Sequence, residues 1–584
     1  MSGCRLVVKC DGNEFFVFSG LCFPRNSAQD CGMPPLTCLK RLLLAVSALM
    51  LCIGLQAAVE RPNVILIMAD DMGFSDIGPY GGEIETPTLD TLAAGGMKFS
   101  RFYNSGRCCP TRASLMTGLH PHQTGIGWMT NPPQAKMMDH GPDFPAYRGF
   151  LNQNCLTMAE VLRESGYATF LAGKWHLGIH DQSRWPLQRG FDQFYGSITG
   201  ATNFFEPEAP RGITLQNEAV VELESTTDRR YYTTDAFTDY AMSFIGEEAE
   251  ADDRPFFLYL AYTAPHWPLQ AHQEEVQKYV GKYMMGWDKL RESRLKRQQE
   301  LGLIDEDWAL SDRSFKSWDE MRPQKQQEMD LRMANYAAMI DRMDQNIGRL
   351  VEYLKAEGKY ENTLILFLSD NGACQEGGRL GGATDPFDLE AWDSTYGSGP
   401  SYGEVWANAS NTPFRKFKHF THEGGLSSPL IAHWPRGIAP RSDWYGDPAT
   451  LIDLAPTVYE LAGASYPTEF EGHSIHALTG RSLTPAFTGT ALERAEPLFF
   501  EHEDNAAIMD GKWKLVGSEV SVPGGVDVSK WELYDLETDR TETNDLVASR
   551  PKVAERLAKR WAEWAQQVGV YPKPASRNVK SLQK

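Results

Sequence analysis

Four apolar runs of this chain end on residues that hold or polarise charge. NVILIMADD (63–71) ends in Asp70 and Asp71, and TLILFLSDNG (363–372) closes on Asp370, Asn371 and a glycine. YATFLAGKWH (167–176) finishes with Lys174 and His176, and PFFLYLAYTAPH (255–266) finishes with His266. Carboxylates and a carboxamide, without Cys or paired His among them, are hard oxygen donors that suit calcium, with magnesium as the alternative, rather than zinc. A cation held by Asp70, Asp71, Asp370 and Asn371 would neutralise anionic substrate oxygens and favour the ionised form of a bound nucleophile. Taken singly, each residue has an ordinary explanation. An Asp after a strand caps the next helix, Asn-Gly makes a turn, a Lys is a solvated charge and a His is a satisfied structural group. The convergence of four run ends is what those explanations leave over.

A nucleophile candidate lies in SGRCCPTRASLMTGLH, residues 105 to 120. Pro110 followed by an apolar helical pattern puts Cys108 and Cys109 at a helix N-terminus, where free backbone N–H groups and the positive dipole end attract anions. The residues alone leave two buried structural thiols as the alternative.

The elements that must position these groups follow from the same patterns. The four runs are continuous and apolar, so they read as strands buried on both faces. Between them lie helical segments: TPTLDTLAAGG, with Thr86 placed to cap and Pro87 at the first helical position, and TMAEVLRESG, which stops at Gly166. Alternation of this kind predicts an α/β domain whose large sheet is mixed but mostly parallel. In such sheets ligands bind beyond the carboxyl ends of the strands, where all four run ends lie. Residues 327 to 358 read as a long helix packed on the sheet, and 270 to 325 as an insertion of short helices over one rim. From about 485 shorter strand-like pieces (PLFFEH, AAIMDG, WKLVG, WELYDL) and a helix over 551 to 568 predict a small antiparallel α+β domain. The organisation expected is a leader over 1–58, a catalytic domain over 59–484, the small domain over 485–572 and a tail over 573–584.

A formal charge of -20 repels nucleic acid phosphates and anionic membranes, so nucleic acid is not expected as a partner. It does not veto anion chemistry, because a metal ion and a few pocket cations dominate the local field. Residues 40 to 58, KRLLLAVSALMLCIGLQAA, place two cations before a short apolar run ending in small residues, which is a signal-peptide pattern. The run is too short to span a bilayer comfortably, where about 20 residues are wanted. Export to the periplasm or the medium is therefore expected, with Met33 as a better start than Met1. Six of the ten cysteines lie at or before Cys52, leaving Cys108, Cys109, Cys155 and Cys374, too few for a disulfide scaffold.

The spacing C-x-P-x-R followed by A-S-L-M-T-G, from Cys108 through Pro110 and Arg112 to Gly118, resembles the signature of the sulfatases, in which a Cys is oxidised to formylglycine. The resemblance runs from about 60 to 570 in the family's order. RPNVILIMADDMG resembles the first metal motif and FLSDNG the second. GKWHLG (173–178) resembles the Lys and His motif, and NTPFRKFKHFTHEGGLSSPLIAHWP (411–435) the segment carrying the last active-site Lys, here Lys418. KYMMGWDKLRESRLKRQQELGLI (282–304) and the LSSP after EGG are similar to the bacterial arylsulfatase branch. Two departures stand out: Ser428 occupies a position where many sulfatases carry Arg, and Cys109 one where Ser, Thr or Ala is commoner.

The resemblance implies an alkaline phosphatase-like fold and a formylglycine at 108, made by a formylglycine-generating maturation enzyme. One oxygen of the hydrated aldehyde attacks sulfur beside a calcium ion held by Asp70, Asp71, the modified residue 108, Asp370 and Asn371. It further implies that Arg112 holds residue 108 and that Lys174, His266 and Lys418 bind sulfate oxygens. His266 or Lys418 serves as the acid for the leaving oxygen, and His176 takes a proton from the second hydroxyl so that sulfate departs. Glu423 is expected to orient Lys418 or its loop. The substrate expected is a sulfated small molecule or a sulfated glycan. A phosphomonoester or phosphodiester hydrolase of the same superfamily, and a noncatalytic binder of sulfated glycans, are the alternatives.

Overall fold

The computed structural model describes residues 7–10, 13–16, 61–130, 139–225, 228–252, 254–382, 387, 388, 392 and 400–575. Of the expected leader over 1–58 only 7–10 and 13–16 are described; its signal-like run 40–58 and residues 576–584 of the expected tail lie outside them. Val7–Cys10 and Asn13–Phe16 pair as an antiparallel hairpin in a unit of its own.

From residue 61 on, the apolar runs do become strands: β1 (Asn63–Ala69), β2 (Met97–Tyr103), β3 (Ala168–Gly173), β4 (Gln193–Gly196), β5 (Phe256–Ala261), β6 (Thr363–Ser369) and β7 (Ser427–His433). The sheet runs β2–β7–β6–β1–β5–β3–β4, with two-residue strands added at both edges. β6, β1, β5, β3 and β4 are mutually parallel, and β7 is antiparallel to both β6 and β2. Successive residues of β1 feed two different cores. Ile65 and Ile67 pack on one side, Val64, Leu66 and Met68 on the other, so a continuous apolar run is required.

Helices cover both faces. α1 (Pro87–Ala94) shares the first core with the long helix α5 (Pro323–Ala356), while α2 (Cys108–Thr117) and α3 (Met158–Glu164) pack in the second. The expected insertion over 270–325 includes α4 (Gly286–Glu300), longer than predicted. Its buried Arg294 binds Asp76 at 2.7 Å and Glu83 at 2.8 Å, tying the insertion to the loop that leaves β1.

The C-terminal pieces form β8 (Leu498–His502), β9 (Asn505–Asp510), β10 (Trp513–Gly517) and β11 (Glu532–Asp535), an antiparallel meander followed by α6 (Pro551–Gln567). One face, with Ile508 and Leu515, packs under Leu557 and Trp561 of α6. The other, with Phe500 and Val516, packs on Tyr103 of β2 and on Leu426. No helix among the described residues is long and apolar enough to cross a membrane.

The helix starts follow the predicted signals, with one exchange of partners. Thr157 caps α3 with Glu160 reaching back, a capping box. At α1 the Thr86 hydroxyl instead accepts from the Gly78 N–H, and the orphan N–H groups of Thr88 and Leu89 donate to the Asp344 carboxylate of α5 at 3.0 and 2.8 Å. Loss of this cap in Asp344→Ala should cost about 1 to 2 kcal/mol in chemical denaturation, whereas Asp344→Asn, which keeps an acceptor, should cost less. Burial raises Asp344 from its ordinary 3.8 to about 6. The folded state then binds the proton more tightly than the unfolded one, so this group's contribution to stability falls as pH rises from about 4 to about 6. The stability difference between wild type and Asp344→Asn should narrow or invert across that window, and a pH-independent difference would refute this assignment.

Candidate active site

Strand register brings the predicted residues to one level. Ser369 pairs with Ala69, Met68 with Ala261 and Ala261 with Gly173, so β6, β1, β5 and β3 end side by side. Backbone hydrogen bonds continue past those ends: Asp370 N–H to Ala69 O, Asp70 N–H to Ala264 O and Lys174 N–H to Ala261 O. Two turns need glycine here. A Cβ on Gly173 would sit 1.9 Å from Ala261 O, and one on Gly372 would sit 1.9 Å from Gly424 O. The glycines of GKWHLG and SDNG thus let backbones touch beneath the site. Asp71 and His176 hold positive φ, 67° and 61°, a conformation costing roughly 1 kcal/mol or more for a residue with a Cβ.

All ten predicted site residues converge, and all are buried. Lys174 Nζ donates to Asp70 Oδ2 at 2.6 Å. Arg112 donates to Asp370 Oδ2 through Nη2 at 2.9 Å and Nε at 3.2 Å, and to Lys174 O at 3.2 Å. Lys418 Nζ lies 2.8 and 2.9 Å from the two Asp71 oxygens, and Asn371 Nδ2 donates to Asp71 Oδ1 at 2.7 Å. His266 Nε2 is 3.4 Å from Asp71 Oδ2, while its Nδ1 faces the Trp267 carbonyl. His176 Nε2 meets Thr130 Oγ1 at 2.8 Å.

The two cysteines part company at the start of α2. Cys108 Sγ points to Asp71 Oδ1 at 4.0 Å, whereas Cys109 Sγ accepts from Thr130 N–H and packs among the apolar residues of the second core. All four described thiols are free. Burial pushes Cys108 up to about 12, with Lys174 and Lys418 opposing, so as a thiol it is un-ionised and a poor nucleophile.

The carboxylates differ in state. Burial and the neighbouring Asp70 push Asp370 up to about 7. Burial acts on Asp71 in the same sense, but Lys418, His266 and Lys174 outweigh it and hold Asp71 well below the usual range. Asp70 Oδ1 and Asn371 Oδ1 are buried without hydrogen-bond partners, and ligand atoms of Asp70, Asp71, Cys108 and His266 lie within 4.8 Å of one another. Unpartnered hard oxygens beside two further carboxylates fit a hard divalent cation.

Above these groups opens a cleft of about 300 Å³ lined by His176, His266 and Lys418 together with Arg107, Arg211 and Glu376. Sequence reasoning missed the last three. Arg107 donates to Glu376 at 2.6 Å, and Glu376 also accepts from Trp267 Nε1 at 3.0 Å. Their positions next to Cys108, His266 and the SDNG turn were a usable signal; Arg211 lies in a segment without pattern. Glu423 makes no contact with Lys418. It binds Lys514 and Arg540 of the C-terminal region, each at 2.9 Å, and so orients the loop rather than the lysine. Clefts of about 230 and 580 Å³ elsewhere contain none of the converging groups.

The sulfatase family model matches residues 62–464, and the model described as "N-sulphoglucosamine sulphohydrolase, C-terminal" matches 414–567. An uncharacterized sulfatase of Schizosaccharomyces pombe is 34% identical, over 89% of this chain and 96% of its own length. An arylsulfatase of Klebsiella aerogenes is 36% identical over 76% of this chain and 96% of its length. The solved structure of Ps i-CgsB in complex with k-i-k-neocarrahexaose is 26% identical, with a TM-score of 0.64 over 90% of this chain and 96% of that one. With its alkaline phosphatase-like sheet and this match across most of its length, the chain belongs to the sulfatase family and is a sulfuric ester hydrolase of the arylsulfatase type.

Proposed function

We propose that the chain cleaves an organic sulfate ester through a formylglycine made from Cys108, with calcium as the metal, magnesium being the alternative. The observation that carries this reading is the meeting of Cys108, Asn371, His266 and Lys418 at the single carboxylate of Asp71. Asp70, Asp71, Asp370, Asn371 and residue 108 would hold the cation, which when bound supplies charge neutralisation and polarises the sulfate oxygens. A hydrated aldehyde at 108 supplies one hydroxyl to attack sulfur and a second whose deprotonation lets sulfate leave, an exit that a serine ester lacks.

The chain's own residues do the rest. Arg112, fixed on Asp370 and the Lys174 carbonyl, holds the base of the site and the start of α2. Lys174 and Lys418 present ammonium groups to the sulfate oxygens. His266 has both ring nitrogens facing oxygen atoms, but burial lowers it to about 4 with Asp71 opposing, so it would carry a proton for the leaving oxygen only once an anionic sulfate is bound; with Lys418 it is the candidate acid. Burial, then Lys174 and Arg112, hold His176 well below its ordinary value, so it is neutral and able to accept a proton. The cleft of about 300 Å³ accommodates an aryl or single-sugar group beside the sulfate. A sulfated small molecule or the terminal residue of a sulfated glycan is therefore the substrate class we favour, and release of sulfate from a panel of both would distinguish them. A maturing enzyme would read the segment around Cys108 while it is extended, before folding, and the leader expected over 1–58 would direct export. Turnover of nitrophenyl phosphate exceeding that of nitrophenyl sulfate would favour the phosphatase alternative.

Peptide mass analysis of the active protein should show an aldehyde at 108 and an intact thiol at 109. Cys109→Ser should keep appreciable activity and Cys108→Ala essentially none; full activity with an unmodified thiol at 108 would overturn the mechanism. Asp70→Ala should lose bound calcium and turnover together while remaining folded, and retention of stoichiometric calcium would remove Asp70 from the ligand set. If His266 or Lys418 is the acid, its replacement should slow esters with poor leaving groups by about 10²-fold or more and activated nitrophenyl esters far less. Equal losses across the leaving-group series would assign both residues to sulfate binding instead.

A further inference from the structure

Beside Lys418, the chain gathers a second set of ligating groups unlike the first. His419 and His502 stack edge to face with ring centroids 5.4 Å apart, and Glu503 Oε2 lies 3.2 Å from His419 Nδ1. Ligand atoms of His419, His502 and Glu503 all lie within 4.8 Å of one another. His502 is fully buried, and neither of its ring nitrogens makes a hydrogen bond; its Nε2 is 3.8 Å from Glu503 Oε1. A buried imidazole without partners costs stability unless something satisfies it.

The backbone around the cluster is held in place with some strain. Glu503 and Asp504 form the two-residue turn between β8 and β9, with φ of 43° and 74°, positions where Asn-Gly or Asp-Gly is usual. His419 also has positive φ, 86°; its N–H donates to Gly106 O and its carbonyl accepts from Asn505 Nδ2. The hairpin turn and the Lys418 loop are thus aligned across a gap lined by two imidazoles and a carboxylate. Arg107, within electrostatic reach of Glu503, is engaged by Glu376.

We propose that His419, His502 and Glu503 form a second metal site, for a divalent transition metal of the zinc class. Two imidazoles and one carboxylate are ligands that zinc and cobalt favour and calcium does not, so this site selects against the cation of the oxygen-rich centre. In a tetrahedral sphere ligand atoms stand roughly 3.4 Å apart, so small side-chain rotations close the site. His419 and Glu503 are 27% and 18% exposed, which gives entry and leaves a fourth position to water. Burial pushes His502 down to about 3, keeping its ring neutral with a lone pair to donate. A metal here would clamp the β8–β9 turn to the segment carrying Lys418, without itself touching the reacting centre.

The test uses the full-length protein stripped of transition metals, held in excess calcium, and titrated with cobalt(II) and then zinc. Wild type should take up one equivalent of cobalt with ligand-field bands but no thiolate-to-cobalt charge transfer, and zinc should displace it and raise the melting temperature. His419→Ala and Glu503→Gln should each weaken binding about tenfold or more, and Asp70→Ala should leave it unchanged. His502→Ala, checked for folding by circular dichroism, should bind no better than these. Absence of uptake by wild type, undiminished affinity in both His419→Ala and Glu503→Gln, or a thiolate charge-transfer band placing the metal at a cysteine would each overturn the proposal.

Discussion

Burying Asp70, Asp71 and Asp370 side by side strips three carboxylates of water, at several kcal/mol per ion, so most of what surrounds them is arranged to offset that cost. Arg112 spans Asp370 and the Lys174 carbonyl, Lys174 closes on Asp70, and Lys418 closes on Asp71. The charges come from five separated segments, which explains why the strands between them must end level. A register slip of one residue in β1 or β6 would turn Asp70 or Asp370 to the opposite face and leave its partner cation buried alone.

The same constraint reaches the C-terminal sheet. Lys418 is carried by a loop whose anchor, Glu423, is itself buried and ionised; burial opposes this, but Lys514 and Arg540 hold it down to about 2. Lys514 lies on β10 and also binds Glu542 at 2.8 Å, while Glu542 accepts from the Glu423 N–H. A small sheet far along the sequence therefore sets the position of the loop that brings Lys418 to Asp71. Its apolar face on Tyr103 and Leu426 provides the area, and the buried ion network provides the register.

Much of this was legible in the sequence because the central strands are buried on both faces, which forces unbroken apolar runs and makes their polar ends conspicuous. The order of the motifs then placed the ten site residues that the structure brings together. What escaped depends on contacts between segments far apart in sequence. Thr86 looks like a cap from its own neighbourhood, but the capping carboxylate comes from Asp344. Glu423 looks like a partner for Lys418 five residues earlier, but the turn between them sends it to Lys514. Arg107 and Glu376 flank recognisable motifs, yet only the folded chain shows that they join each other. His419 and His502 are 83 residues apart and carry no local pattern.

Ser428 illustrates how a departure from the family's commoner residue can be absorbed. Its hydroxyl donates to Ser369 O at 2.8 Å and accepts from Asn104 Nδ2 at 2.9 Å. The residue therefore stitches the start of β7 to the end of β6, immediately before Asp370, instead of presenting a charge. Asn104 in turn accepts from the Gly106 N–H, two residues before Cys108. The neutral hydroxyl at 428 thus links the end of β6 to the approach of α2. The positive side of the site is thus supplied by Arg112, Lys174 and Lys418, and the position that is commonly charged has become part of the scaffold that holds them.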